Sequence, residues 1–204
     1  NAFTGKLGEE TVAKLSEYLS LKLNCSINQI YTASTGVIGE QLDPNQIIKS
    51  LKLMTTSDKP NWLDAANAIK TTDTFPKFIT KMCKIDGVDI EILGIAKGSG
   101  MIAPNMSTML GFIFTNANLS SNIIQNLILS SNEKSFNSIT VDSDTSTSDT
   151  VLLVATRKAK HKPVHKSTDT RLNEFKRCLS SLMLELAKLI VRDGEGASKF
   201  ITVK

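Results

Sequence analysis

Residues 97–115 read KGSGMIAPNMSTMLGFIFT. The first eight combine two glycines with a Pro, the signature of an irregular backbone path. Pro104-Asn105 then turns the chain, and Ser107-Thr108 leads into MLGFIFT (109–115), an apolar run short enough for a buried strand. Upstream, KFITKMCKI (77–85) and VDIEILGIAKG (88–98) flank Asp86-Gly87, which reads as a β-hairpin turn. Three strands in succession, with no room for a crossover helix between the first two, predict a largely antiparallel sheet.

Working outward, EETVAKLSEYLSLKL (9–23), PNQIIKSLKLM (44–54) and NWLDAANAIK (61–70) read as helices, the second with Pro44 near its start. LSSNIIQNLILSS (119–131) is helical, with Ser120 or Ser121 as cap. TDTRLNEFKRCLSSLMLELAKLIVRDGEG (168–196) holds the longest helix and stops near Asp193-Gly194. Further strands are predicted at INQIYTAST (27–35), running on through TGVIGEQL (35–42). SITVDSDTSTSDTVLLVAT (138–156) predicts a strand, a polar loop and a second strand, and SKFITVK (198–204) one more. The mixture lacks regular βαβ repetition and predicts α+β, or layered α/β, with helices flanking the sheets. No linker or internal repeat divides the chain, so 1–204 reads as one unit, partial at both ends.

Composition narrows the function. The 204 residues carry a net charge of +4 and 5% aromatics. The basic run RKAKHKPVHK (157–166) lacks the stacking aromatics of a nucleic-acid binder, so it reads as a solvated loop. Cys25, Cys83 and Cys178 are scattered, without a CxxC pair, which points to reduced thiols and a cytoplasmic setting. No run of 18 apolar residues suggests a membrane span.

Histidine chemistry has little material. The two histidines, His161 and His165, both sit in the basic run and read as solvated. That disfavours a Ser-His-Asp or Cys-His arrangement and a His/Cys zinc site. KGSGMIAP fails as a P-loop because Lys97 precedes its glycines and a strand, not a helix, follows. Asp142, Asp144 and Asp149, alternating with Ser and Thr, read as acceptors for loop backbone rather than as a metal site. One chemistry needs no histidine. If the Ser107–Thr108 bond is cut, Thr108 gains an α-amine with a reference pKa of about 8. That amine can serve as base for its own hydroxyl.

KGSGMIAPNMSTMLGFIFT resembles the cleavage and nucleophile region of the ornithine acetyltransferase family, the glutamate N-acetyltransferases of the cyclic arginine pathway. STGVIGE (34–40), TTDTFPK (71–77), SFNSITVDSDTSTSDT (135–150), LIVRDGEGASKFI (189–201) and the opening NAFTG are similar to further family segments, in family order. The resemblance implies the fold shared with DmpA-like aminopeptidases and self-cleavage between Ser107 and Thr108. The products are an α chain portion, 1–107, and a β chain portion, 108–204. It implies Thr108 as nucleophile, Thr35 and Gly36 as oxyanion hole, and Thr71, Lys97 and Glu195 as substrate contacts beside Thr108. Acetyl then passes from N2-acetylornithine to glutamate, releasing ornithine. No cofactor or metal is implied, with acetyl-CoA a further candidate donor. No nucleic acid or membrane partner is implied, and the assembly is a heterotetramer of two α and two β chains. Two readings stay beside it: an N-terminal-nucleophile aminopeptidase or amidase, and a non-catalytic fragment. Ser107 and Ser143 stand where the family usually has alanine and glycine.

Overall fold

The computed structural model describes residues 1–54, 61–102 and 109–203. These form two compact units, 1–60 and 61–204.

In the first unit, helix α1 (Gly5–Leu23) packs on α2 (Pro44–Leu53). Asn24 ends α1 in the left-handed conformation, and its N–H returns to the Ser20 carbonyl. Asp43 caps α2 by accepting the Asn45 N–H at 2.9 Å, and Pro44 occupies the first turn, where no N–H is required.

The strand expected over 27–35 and continuing to 42 is not formed. Its β-branched and aromatic residues favour extended backbone, but a strand also needs a neighbouring ladder. A capping box instead starts a 3-10 turn at Ile27–Gln29, with the Ser26 N–H donating to Gln29 Oε1. The stretch that follows runs back along the opening residues. Asn1 Nδ2 donates to the Glu40 carbonyl, the Gly39 N–H to the Ala2 carbonyl, and Gln41 Nε2 to the Thr4 carbonyl.

The second unit opens with α3 (Trp62–Ala68), followed by β1 (Lys77–Ile85) and β2 (Val88–Lys97). The hairpin has the predicted turn. Asp86 and Gly87 both take positive φ, 51° and 74°, as a two-residue turn matched to strand twist requires. β3 (Leu110–Thr115) pairs antiparallel with β2, placing Leu110 opposite Lys97. The chain then crosses over through α4 (Ser121–Asn132) to β4 (Thr150–Ala155), which pairs parallel with β3. Among the described residues, four strands lie in sequence order in one sheet, and the class is α+β.

Helix α5 (Asn173–Arg192) covers one sheet face with Phe175, Leu179, Leu182, Met183, Leu186, Ala187 and Ile190, a single apolar stripe at helical spacing. Each fully buried Phe, Leu, Met or Ile of this stripe contributes about 1.5–3 kcal/mol. A Cβ on Gly94 of β2 would lie 2.7 Å from Leu182 and Leu186, so the bare glycine sets how closely α5 approaches. The other face packs Leu93 and Ile95 against Ala66 and Trp62 of α3, with Phe78, Phe112 and Phe114 alongside.

Two other expected strands give way to local bonding. At 138–141 the Val141 N–H and the Thr140 hydroxyl both donate to the single carbonyl of Ile102, which leaves no ladder. Residues 198–203 have no regular structure, and Phe200 lies under the Arg192 guanidinium at 5.4 Å. Among the described residues, no helix is long and apolar enough to cross a membrane.

Candidate functional site

The hairpin carries Lys97 to the last position of β2, where the sheet ends and the glycine loop begins. Only 2% of it is exposed. Its Nζ donates to Thr71 Oγ1 at 3.1 Å. Burial pushes the ammonium below its ordinary pKa. Asp73 and Asp149 act in the opposite direction, and Lys77 adds to the lowering.

Two neighbouring segments meet the same corner. The Thr72 and Ser99 hydroxyls are hydrogen-bonded at 2.6 Å, and the Glu195 N–H donates to the Ser99 carbonyl at 2.7 Å. The Glu195 side chain lies over Gly100 so closely that a Cβ there would sit 2.5 Å from Oε2. Thr71, Lys97 and Glu195, far apart in sequence, are thereby gathered at one end of β2.

Beneath them lies a charged network that sequence reasoning missed. Lys77, fully buried, donates from Nζ to Asp73 Oδ1 and to Asp193 Oδ2, each at 2.6 Å. Asp73 Oδ1 also accepts the Gly98 N–H at 2.7 Å, and Asp73 Oδ2 the Thr71 N–H at 3.2 Å. Asp193 accepts the Thr74 N–H at 3.0 Å and its hydroxyl. For both carboxylates burial alone would raise the pKa. These donors, led by the Gly98 N–H at Asp73 and the Lys77 ammonium at Asp193, outweigh it and hold both below the usual range. The available signal was slight: Asp73 and Lys77 stand four apart within TTDTFPK, and nothing in the spacing points to Asp193.

Asp142 and Asp149 perform the backbone role expected of them. Asp142 accepts the N–H groups of Met101 and Ile102, at 2.6 and 2.9 Å, and also that of Asp144. Burial would raise its pKa, but these bonds hold it below the ordinary value. Asp149 accepts the Met109 N–H at 2.8 Å. The residues on either side of 103–108 are therefore pinned by carboxylates of one loop.

Ser107 and Thr108 lie outside the described residues. Thr35 and Gly36 belong to the first unit, where a Cβ on Gly36 would come within 2.9 Å of the Asn1 side chain. The basic run differs from expectation. His165 and the lysines are exposed, but His161 is 3% exposed, with Ala159 and Val164 buried beside it. His161 Nε2 accepts the Asn118 N–H at 2.8 Å, so its proton belongs on Nδ1, 2.8 Å from the Lys162 carbonyl. The imidazole anchors this loop, while His165, Arg157 and the lysines stay exposed.

Fold and site together define an α+β protein that gathers buried lysines and carboxylates at the open end of a central hairpin. Comparison with known proteins is more specific. The model of the ArgJ family matches residues 1–204, and the chain belongs to that family. The arginine biosynthesis bifunctional protein ArgJ of Gluconobacter oxydans is 47% identical over 204 residues, spanning 100% of this chain and 48% of its own length. Its namesake in Mesorhizobium japonicum is 46% identical over 207 residues, spanning 100% and 50%. The chain thus spans about half the length of the curated relatives it matches. A crystal structure of arginine biosynthesis bifunctional protein argJ from Bacillus halodurans is 38% identical, covering 43% of this chain and 41% of that one, with a TM-score of 0.40.

Proposed function

We propose that this chain carries the nucleophile and part of the substrate pocket of a glutamate N-acetyltransferase of arginine biosynthesis. The observation that supports it is the convergence of Thr71, Lys97 and Glu195 at the end of β2, in a chain matched to the ArgJ family over its whole length. These are the residues the family resemblance assigns to substrate contact.

In this reading the chain cleaves itself between Ser107 and Thr108, and the Thr108 amine takes the proton of its own hydroxyl. The hydroxyl oxygen attacks the acetyl carbonyl of N2-acetylornithine. The Thr35 hydroxyl and the Gly36 N–H donate to the resulting oxyanion, each worth about 3–4 kcal/mol where comparable donors have been removed. The carbonyl–nitrogen bond breaks, the proton goes to the departing ornithine amine, and acetyl-Thr108 remains. The glutamate amine then attacks this ester, takes the acetyl group, and returns the proton to Thr108. Acetyl-CoA is a second candidate donor, in which a thiol leaves in place of the amine. A cytoplasmic heterotetramer of two α and two β chains completes the proposal.

Intact-mass spectrometry of the full chain beside Thr108→Ala tests it. The expected result is two fragments split at 107/108 in the wild type, an uncut variant, and an acetyl group on the Thr108 fragment that glutamate removes as N-acetylglutamate. A wild type that stays whole overturns the reading. Acetate release that ignores glutamate replaces it with hydrolysis by an aminopeptidase-like enzyme.

A further inference from the structure

Two of the contacts around Lys97 lead to one carboxylate. Its Nζ donates to the Thr71 hydroxyl, and Thr71 in turn donates its backbone N–H to Asp73 Oδ2. Its own peptide continues into Gly98, whose N–H donates to Asp73 Oδ1. Asp73 therefore grips the residue that receives the ammonium and the residue that follows the Lys97 Cα. The Asp73 side chain is wholly buried and is neutralised by Lys77, also wholly buried.

We propose that Asp73 is a positioning residue that fixes Lys97 in place and in its charged form, as the anchor for a carboxylate of an amino-acid substrate. The inference rests on the reading of Lys97 as a substrate contact. A buried ammonium persists only beside compensating charge. Among the described residues, the charges acting on Lys97 are those of Asp73 from the segment before β1, Lys77 from β1 and Asp149 from the residue before β4. Removing the Asp73 charge takes away one attractive charge and leaves the repulsion of Lys77 in place. The ammonium then loses its proton at lower pH, and the carboxylate loses its counter-charge.

A structural strut alone would not need this arrangement. Lys77 and Asp193 already tie β1 to the end of α5, with Thr74 as the second donor to Asp193. The bonds from Asp73 to Gly98 and Thr71 add contact only with the residues around Lys97. Asp193 therefore serves as the control: it shares Lys77 with Asp73 but bonds neither Gly98 nor Thr71.

The test is titration of the Lys97 side chain by NMR in lysine-labelled protein, its signal assigned with Lys97→Arg, in the wild type, Asp73→Asn and Asp193→Asn. Turnover is not required, so failure of acetyl transfer in the mass-spectrometric assay is read separately. The expected result is a Lys97 midpoint lowered by about one pH unit or more in Asp73→Asn and little changed in Asp193→Asn. Glutamate binding at neutral pH, followed by calorimetry, weakens about tenfold in Asp73→Asn. A Lys97 midpoint unmoved by Asp73→Asn, or moved equally by Asp193→Asn, overturns the proposal. A shifted midpoint with unchanged glutamate binding overturns the anchoring half. If Asp73→Asn does not fold, the wild type still decides. As pH falls, the Lys97 and Gly98 signals must move together with Asp73 protonation, and movement of Gly98 alone overturns the proposal.

Discussion

Lys77 Nζ lies 2.6 Å from Asp193 Oδ2, joining the first residue of β1 to the residue that ends α5, 116 positions later. Both side chains are essentially out of solvent. Asp73 Oδ1 accepts from the same ammonium at 2.6 Å, and Nζ lies 4.8 Å from the Phe75 ring centroid. Lys77→Met keeps most of the volume but strands two buried carboxylates. Breaking a buried pair in this way costs about 3–5 kcal/mol. Chemical denaturation should show a loss of that size, and a loss below about 1 kcal/mol would mean that solvent reaches the carboxylates.

The same network fixes the sign of an acid response. Asp73 and Asp193 both have folded pKa values below the ordinary carboxylate range of about 3.9. A depressed carboxylate contributes stability that is present above its unfolded pKa and is lost as pH falls toward its folded one. Unfolding free energy should therefore hold near neutrality and drop below about pH 5. Denaturant titrations from pH 7 to pH 3 check this, and Asp193→Asn should start lower and fall less steeply.

The hairpin, β3 and the helices were legible because their signals are local. Asp86-Gly87 sets a turn that only positive φ can make, and the α5 stripe repeats at the helical period. The strands expected at 27–42, 138–141 and 198–204 were misread for one physical reason. Ile27, Tyr31 and Val141 have the propensity of strand residues, but a strand exists only where a ladder partner lies alongside. Thr71, Lys97 and Glu195 were visible only as pieces of longer matching segments. The Asp73–Lys77–Asp193 network depends on tertiary contact and has no spacing signature. His161 was misjudged because its lysine neighbours set the apparent polarity of the run, while the ring itself turns inward.

Asp149 and Asp142 hold the backbone on both sides of residues 103–108, and the proposed cleavage point falls within that stretch. Asp149→Ala removes the acceptor for the Met109 N–H, the amide directly after Thr108. Self-cleavage requires the scissile bond to be held in a reactive geometry, and a small misplacement is enough to cost about 100-fold. The conversion of uncut chain to fragments, followed by mass after expression, should slow by that order in Asp149→Ala. Asp149→Asn, which keeps an acceptor oxygen, should recover part of the rate. Equal rates in all three would show that the Met109 bond does not govern cleavage.

Ser143, where the family resemblance leads one to expect glycine, has a φ of 66°. In the left-handed region a side chain costs roughly 1–2 kcal/mol that glycine does not incur. Glycine returns part of that gain through the greater freedom of its unfolded chain. Ser143→Gly should therefore stabilise the protein by about 0.5–1 kcal/mol, with the hydrogen bonds of Asp142 intact. A thermal melt detects this as a rise of a few degrees, and a fall would mean that the serine hydroxyl makes a compensating bond.

His161 gives the last test, because its burial reverses the expectation drawn from its surroundings. The ring accepts the Asn118 N–H at the approach to α4, and Arg157 Nε donates to the Asn118 side-chain oxygen at 3.1 Å. The Ala159 N–H closes the same corner by donating to the Asn116 carbonyl at 2.8 Å. His161→Ala deletes an acceptor in a covered position, and an orphaned buried donor costs about 1–3 kcal/mol. His161→Gln offers an amide oxygen at comparable reach and should restore part of that loss. His165→Ala, in the same run but exposed, should change stability by less than about 0.5 kcal/mol. If His161→Ala and His165→Ala unfold at the same denaturant concentration, the imidazole does not anchor the loop, and the basic run is solvated throughout.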